Sequence, residues 1–100
     1  MVMRILLILF IFLFNHITYT QTAKEYYNNG LEKHQNGDYY GAIADYTKSI
    51  ELNPNFAYAY FNRGIAKEIL EDLNGACADY KIAARMGHTY AQEIVSDYCD

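Results

Sequence analysis

The chain has 100 residues, 52% of them hydrophobic, with one Pro, six Gly, two Cys and no Trp. That length holds one small domain, and the composition excludes a disordered, collagen-like or membrane-bundle chain. The net charge is −4 with no basic cluster, which argues against a nucleic-acid partner.

Residues 1–20 read as an address. Arg4 supplies a positive start, residues 5–14 form an unbroken apolar run of ten, and Asn15 and His16 end it. A spanning helix needs about 20 apolar residues, whereas a secretory signal needs about 7–15 and then small residues. Cleavage before Gln21 puts Thr18 and Thr20 at the −3 and −1 positions. The alternative is an uncleaved membrane anchor. The expected mature domain is 21–100, with seven cations against twelve acids for a net −5. Its expected place is the periplasm or the extracellular space, with no membrane contact once the signal is cut. There Cys77 and Cys99 sit where paired thiols tend to become disulfides.

Residues 23–56 laid on 57–90 give 11 identities in 34 positions, among them Gly30/Gly64, Lys33/Lys67, Ala42/Ala76, Asp45/Asp79 and Tyr46/Tyr80. About two are expected by chance, so the period of 34 is an internal repeat. Each copy reads as two helices. The first opens on a capping box, Thr22 to Glu25, and closes on a left-handed Gly37. Asp38 caps the second, which carries Ala42, Ile43, Tyr46, Ser49, Ile50 and Leu52. Asn53-Pro54-Asn55 breaks it, with Asn55 as the next expected cap. The second copy repeats the plan with Asp72 as its middle cap and Gly87 as its end. A third copy is cut to one helix, 89–99. There a capping box runs from Thr89 to Gln92. Ala91, Ile94, Val95 and Tyr98 are expected on the second hairpin, with Gln92, Glu93 and Asp97 in water.

Gly30 and Gly64 fall in mid-helix, where Gly costs about 1 kcal/mol relative to Ala. The expected reason is a close crossing of helices. Ala42 and Ala76 supply the matching low surface, and Tyr46 and Tyr80 fill the space beside it.

The series Tyr26…Gly30…Ala42…Tyr46…Pro54, repeated as Tyr60…Gly64…Ala76…Tyr80, resembles the tetratricopeptide repeat. The stretches GDYYGAIADYTKSIELNPN and AYFNRGIAKEIL carry the likeness best, and AARMGHTYAQ is similar to the related Sel1-type repeat. The resemblance covers 23–90, and 91–99 is similar to the family's closing helix. Asn29, Arg63, Lys33, Lys67 and His88 depart from the family pattern. The resemblance implies an all-α fold: a right-handed superhelix of antiparallel helix hairpins, an α-solenoid of five helices after the signal peptide. It also implies a protein-binding role without chemistry.

Carried over, the inner surface takes Lys24, Tyr27, Leu31, His34 and Gln35 from the first copy. The second copy adds Tyr58, Phe61, Asn62, Ile65 and Glu68. Tyr27, Leu31, Phe61 and Ile65 form a strip suited to an amphipathic helix or an extended apolar peptide. Tyr27 and Phe61 are expected to be the exposed members, and packing between hairpins is the alternative for Leu31 and Ile65. Some members grip a C-terminal carboxylate through Lys, Asn and Arg. Asn62 alone matches that clamp, so such a tail is not expected.

No catalytic constellation accompanies the repeat. There is no C-x-x-C, and no glycine-rich phosphate loop. His34 and His88 lie in different copies without a second ligand nearby; they read as a solvated groove residue and a loop residue. The acids read as charged outer surface. The chain is not expected to be an enzyme or to hold a metal or cofactor.

Stacked repeats usually need three units, and this chain has two and a helix. Three devices can compensate: the closing helix, a Cys77–Cys99 bridge, or a second copy stacked as a homodimer. The bridge follows from antiparallel helices that bring the start of one to the end of the next. Two unlinked thiols are the alternative. The second functional reading is a self-associating component of a cell-envelope assembly.

Overall fold

Five helices run through residues 21–100, the residues that the computed structural model describes: α1 (Ala23–Gln35), α2 (Tyr39–Leu52), α3 (Ala57–Ile69), α4 (Leu73–Arg85) and α5 (Thr89–Tyr98). The expected leader, residues 1–20, lies outside the described residues. Each helix packs on its neighbours in the chain, and α1 also touches α3. Cross-helix bonds fix the directions. The Ser49 hydroxyl donates to the Ala23 carbonyl at 2.7 Å, and Lys33 meets Asp45 at 2.9 Å, so α1 and α2 are antiparallel. Gln92 donates to the Ala84 carbonyl while Cys77 joins Cys99, so α4 and α5 are antiparallel as well. The result is the expected all-α stack of hairpins.

The helix ends obey the sequence with two exceptions. Thr22 accepts from the Glu25 N–H, Asp38 from Gly41 and Asp72 from Gly75. These bonds satisfy amide donors that a first turn leaves free. Asn55, however, does not cap α3. Phe56 holds the cap position without a side-chain bond, and Asn53 Oδ1 instead accepts from the Asn55 N–H. At α5 the cap is His88, not Thr89: its Nδ1 accepts from the Ala91 N–H at 3.2 Å.

Three of the turns share one design. The N–H groups of Asp38, Asp72 and His88 reach back to the carbonyls of Lys33, Lys67 and Ala83. The preceding residue is left-handed in each: Gly37 (φ 82°), Glu71 (φ 67°) and Gly87 (φ 93°). Glu71 stands where the first copy has Gly37, and it bears the cost of about 1 kcal/mol that a Cβ brings to that conformation.

The core contains alanine and tyrosine together. Ala42, Ala59, Ala66, Ala76, Ala83 and Ala91 are buried, as are Tyr46 and Tyr80. The close contact expected at the glycines is present, but its nearest partner is a side chain. A Cβ on Gly30 would stand 2.6 Å from Cε1 of Tyr46, and one on Gly64 would stand 2.7 Å from Cε1 of Tyr80. In both copies a tyrosine ring takes the nearest part of the space the glycine leaves. At Gly64 the Ala76 carbonyl oxygen adds a contact at 3.3 Å. One further expectation fails. Ile94 and Val95 are half-buried, but Tyr98 is 82% exposed and does not seal the second hairpin.

Cys77 and Cys99 form a disulfide with a Cα–Cα distance of 5.7 Å. It pins the far end of the ten-residue α5. Closing a loop with a separation of 22 residues stabilises by about 3 kcal/mol in the chain-entropy account. Replacing both cysteines by serine is therefore expected to lower the melting temperature substantially, as is reductant. Thermal melts with and without reductant check this, and equal midpoints contradict it.

Candidate protein-binding site

The inner-surface residues come from one edge of α1 and the matching edge of α3. The structure brings several of them together. The Asn62 side-chain amide donates to the Tyr27 hydroxyl and to the Tyr58 carbonyl, both at 2.9 Å. Asn62 thus ties α3 to α1 across the two hairpins. Tyr27 stacks at a tilt on Phe56 at 4.9 Å and lies 5.8 Å from Tyr46. Burial, with the neighbouring Tyr58, raises its phenol above the ordinary value.

Tyr27 and Phe61 are less open than expected. Both are half-buried, and Tyr58, at 59% exposure, is the open aromatic of the set. Phe61 stacks on His88 at 4.3 Å and meets the edge of Tyr90 at 5.9 Å. Tyr58 meets the same His88 edge-on at 5.2 Å. His88 is therefore both the cap of α5 and the partner of the α3 aromatics, which the sequence placed in a featureless loop. His34 is half-buried and packs edge-on against Tyr39 at 5.1 Å, apart from this cluster. Leu31 and Ile65 are both half-buried.

Ile65 and Phe61 open onto an irregular cleft of ≈ 710 Å³ between α3, α4 and α5. Tyr80, Tyr90, Ile94 and Tyr98 supply more of its walls, and the Cys77–Cys99 bridge borders it. Apolar walls with few polar groups are the usual make-up of a binding cleft. Among the described residues no group of three or more His, Cys, Asp and Glu side chains is arranged to hold a metal.

Behind this face lies a feature the sequence reading missed. Asp79 is buried, and Arg63 grips it with two bonds, Nε to Oδ2 at 2.8 Å and Nη2 to Oδ1 at 2.7 Å. Lys67 adds a contact at 3.0 Å, and Arg63 also donates to the Thr47 hydroxyl at 3.2 Å. One guanidinium therefore ties α2, α3 and α4. The bonds to Asp79 raise the Arg63 pKa further, against the opposing effect of burial. The first copy has the lighter version, Lys33 with Asp45. The repeated Lys33/Lys67 and Asp45/Asp79 were the available signal. Asp79 was instead read as outer surface, because nothing in the spacing showed which face it takes.

The core tyrosines respond to the same burial. It pushes the Tyr46 phenol up to about 12, aided by Tyr27 and Asp45. Tyr80 is raised further by burial and by Glu68, whose carboxylate accepts its hydroxyl at 3.2 Å.

Removing one partner of a buried ion pair costs about 3–5 kcal/mol, against at most about 1 kcal/mol for an exposed pair. Asp79→Ala is thus expected to consume a large part of the fold's stability, while Asp45→Ala, whose partner Lys33 is 44% exposed, is expected to cost markedly less. Denaturant titrations of the two variants measure the contrast. Similar losses in both would contradict the assignment.

A family model described as the TPR repeat matches residues 30–68. No curated protein matches the chain.

Proposed function

We propose that the chain, whose residues 30–68 match a TPR repeat model, is a protein–protein interaction module of that type and grips a segment of a partner protein on the inner surface of its hairpins. The observation that carries this reading is the apolar cleft of ≈ 710 Å³ walled by Phe61 and Ile65, with exposed Tyr58 on the same helix. Aromatic anchors in a groove supply most of the energy in such contacts. Asn62 and Tyr27 hold the α1 and α3 edges in register, so the surface is ordered before a partner arrives, which lowers the cost of binding. The module binds and orients; it carries no chemistry of its own. Its place is outside the cytosol, the setting in which a bridge such as Cys77–Cys99 persists.

The test is recovery of partners from the exported fraction on the disulfide-bonded chain, compared with a Tyr58→Ala/Ile65→Ala variant of unchanged helical content. Losing two anchors is expected to cut recovery about tenfold or more. Equal recovery by both forms contradicts this surface.

A further inference from the structure

The cleft is apolar, but it is not electrically neutral. Glu68 is the one charged side chain among the residues that line it. The Tyr80 hydroxyl donates to its Oε1 at 3.2 Å and so holds the carboxylate at the wall. The cations nearest in the chain cannot neutralise it, because Arg63 and Lys67 are both bound to the buried Asp79. Among the described residues no lysine or arginine pairs with Glu68. Glu68 is itself exposed, so its unpaired carboxylate stands at the water-facing rim of the apolar walls and makes the potential there negative. The first copy has His34 at the matching position, so the charge belongs to the second hairpin and its junction with α5.

Resting on the interaction reading above, we propose that this cleft selects a peptide segment in which a Lys or Arg stands beside a bulky apolar residue, the apolar side chain entering between Phe61, Ile65 and Ile94 and the cation meeting Glu68. Segments with an acidic residue at that place are rejected, since they bring like charge to an unneutralised carboxylate. This polarity is opposite to that of a pocket for a C-terminal carboxylate.

A random peptide library is panned on the full chain with its bridge intact. The recovered peptides are made with a fluorescent label and titrated against the native protein and Glu68→Gln. Glutamine keeps an acceptor for the Tyr80 hydroxyl, so the wall stays in place. The recovered sequences are expected to pair Lys or Arg with an aromatic or long aliphatic residue. Changing the basic residue to Met weakens binding about fivefold, and Glu68→Gln weakens the basic peptide by the same factor while leaving the Met version unchanged. Peptides without a basic residue overturn the charge selection, as do basic peptides indifferent to Glu68→Gln. In both cases the interaction reading stands if Ile65→Asp abolishes their binding. A library that yields no binder overturns both.

Discussion

The arrangement depends on a tyrosine ring lying over a glycine. Tyr46 covers Gly30 and Tyr80 covers Gly64, each in a space that a single added carbon would fill. The glycine weakens its own helix by about 1 kcal/mol, and the ring buried against it offsets that cost through its large contact area. Because the contact sits between the two helices of each hairpin, it sets how closely they approach. That spacing then places the α3 edge, with Phe61 and Ile65, relative to α5, and the cleft between them follows.

Two further devices hold so short a stack together. A buried Asp79 shared by Arg63 and Lys67, with Arg63 reaching Thr47, links three successive helices. A buried ion group is weak as a source of stability but costly to break, so its contribution is to hold one arrangement rather than to add net energy. The bridge between Cys77 and Cys99 does the rest at the open end, where α5 has no following helix among the described residues. Tyr98 stands in the third copy where the first two have Gly30 and Gly64. There its side chain projects into solvent at the cleft.

The fold was legible because its signals are local. The caps Asp38 and Asp72 and the left-handed Gly37 and Gly87 each follow from neighbours a few residues away, and the 34-residue identity repeats that local pattern. What escaped depends on rotation about a helix axis or on contacts across the stack. Asp79 lies between two helices rather than outside because Lys67 and Arg63 turn toward it. In the sequence Arg63 stands out only as a departure from the repeat pattern, which names no partner for it. His88 looked like a loop residue because its stacking partner Phe61 lies 27 positions earlier. The same distance effect hid how far Phe61 and Tyr27 are occupied by the chain's own aromatics, and moved the open contact area to Tyr58 and the cleft.

A double-mutant cycle on Gly30 and Tyr46 tests the central contact most directly. The three atoms nearest to a Cβ at Gly30 all belong to the Tyr46 ring, so the two changes should couple. Gly30→Ala alone is predicted to destabilise by about 1–3 kcal/mol, as overpacking does. In a Tyr46→Leu background the same change is predicted to cost nothing, or to stabilise by about 1 kcal/mol through helix propensity. An equal cost in both backgrounds, read from denaturant midpoints, would contradict the account.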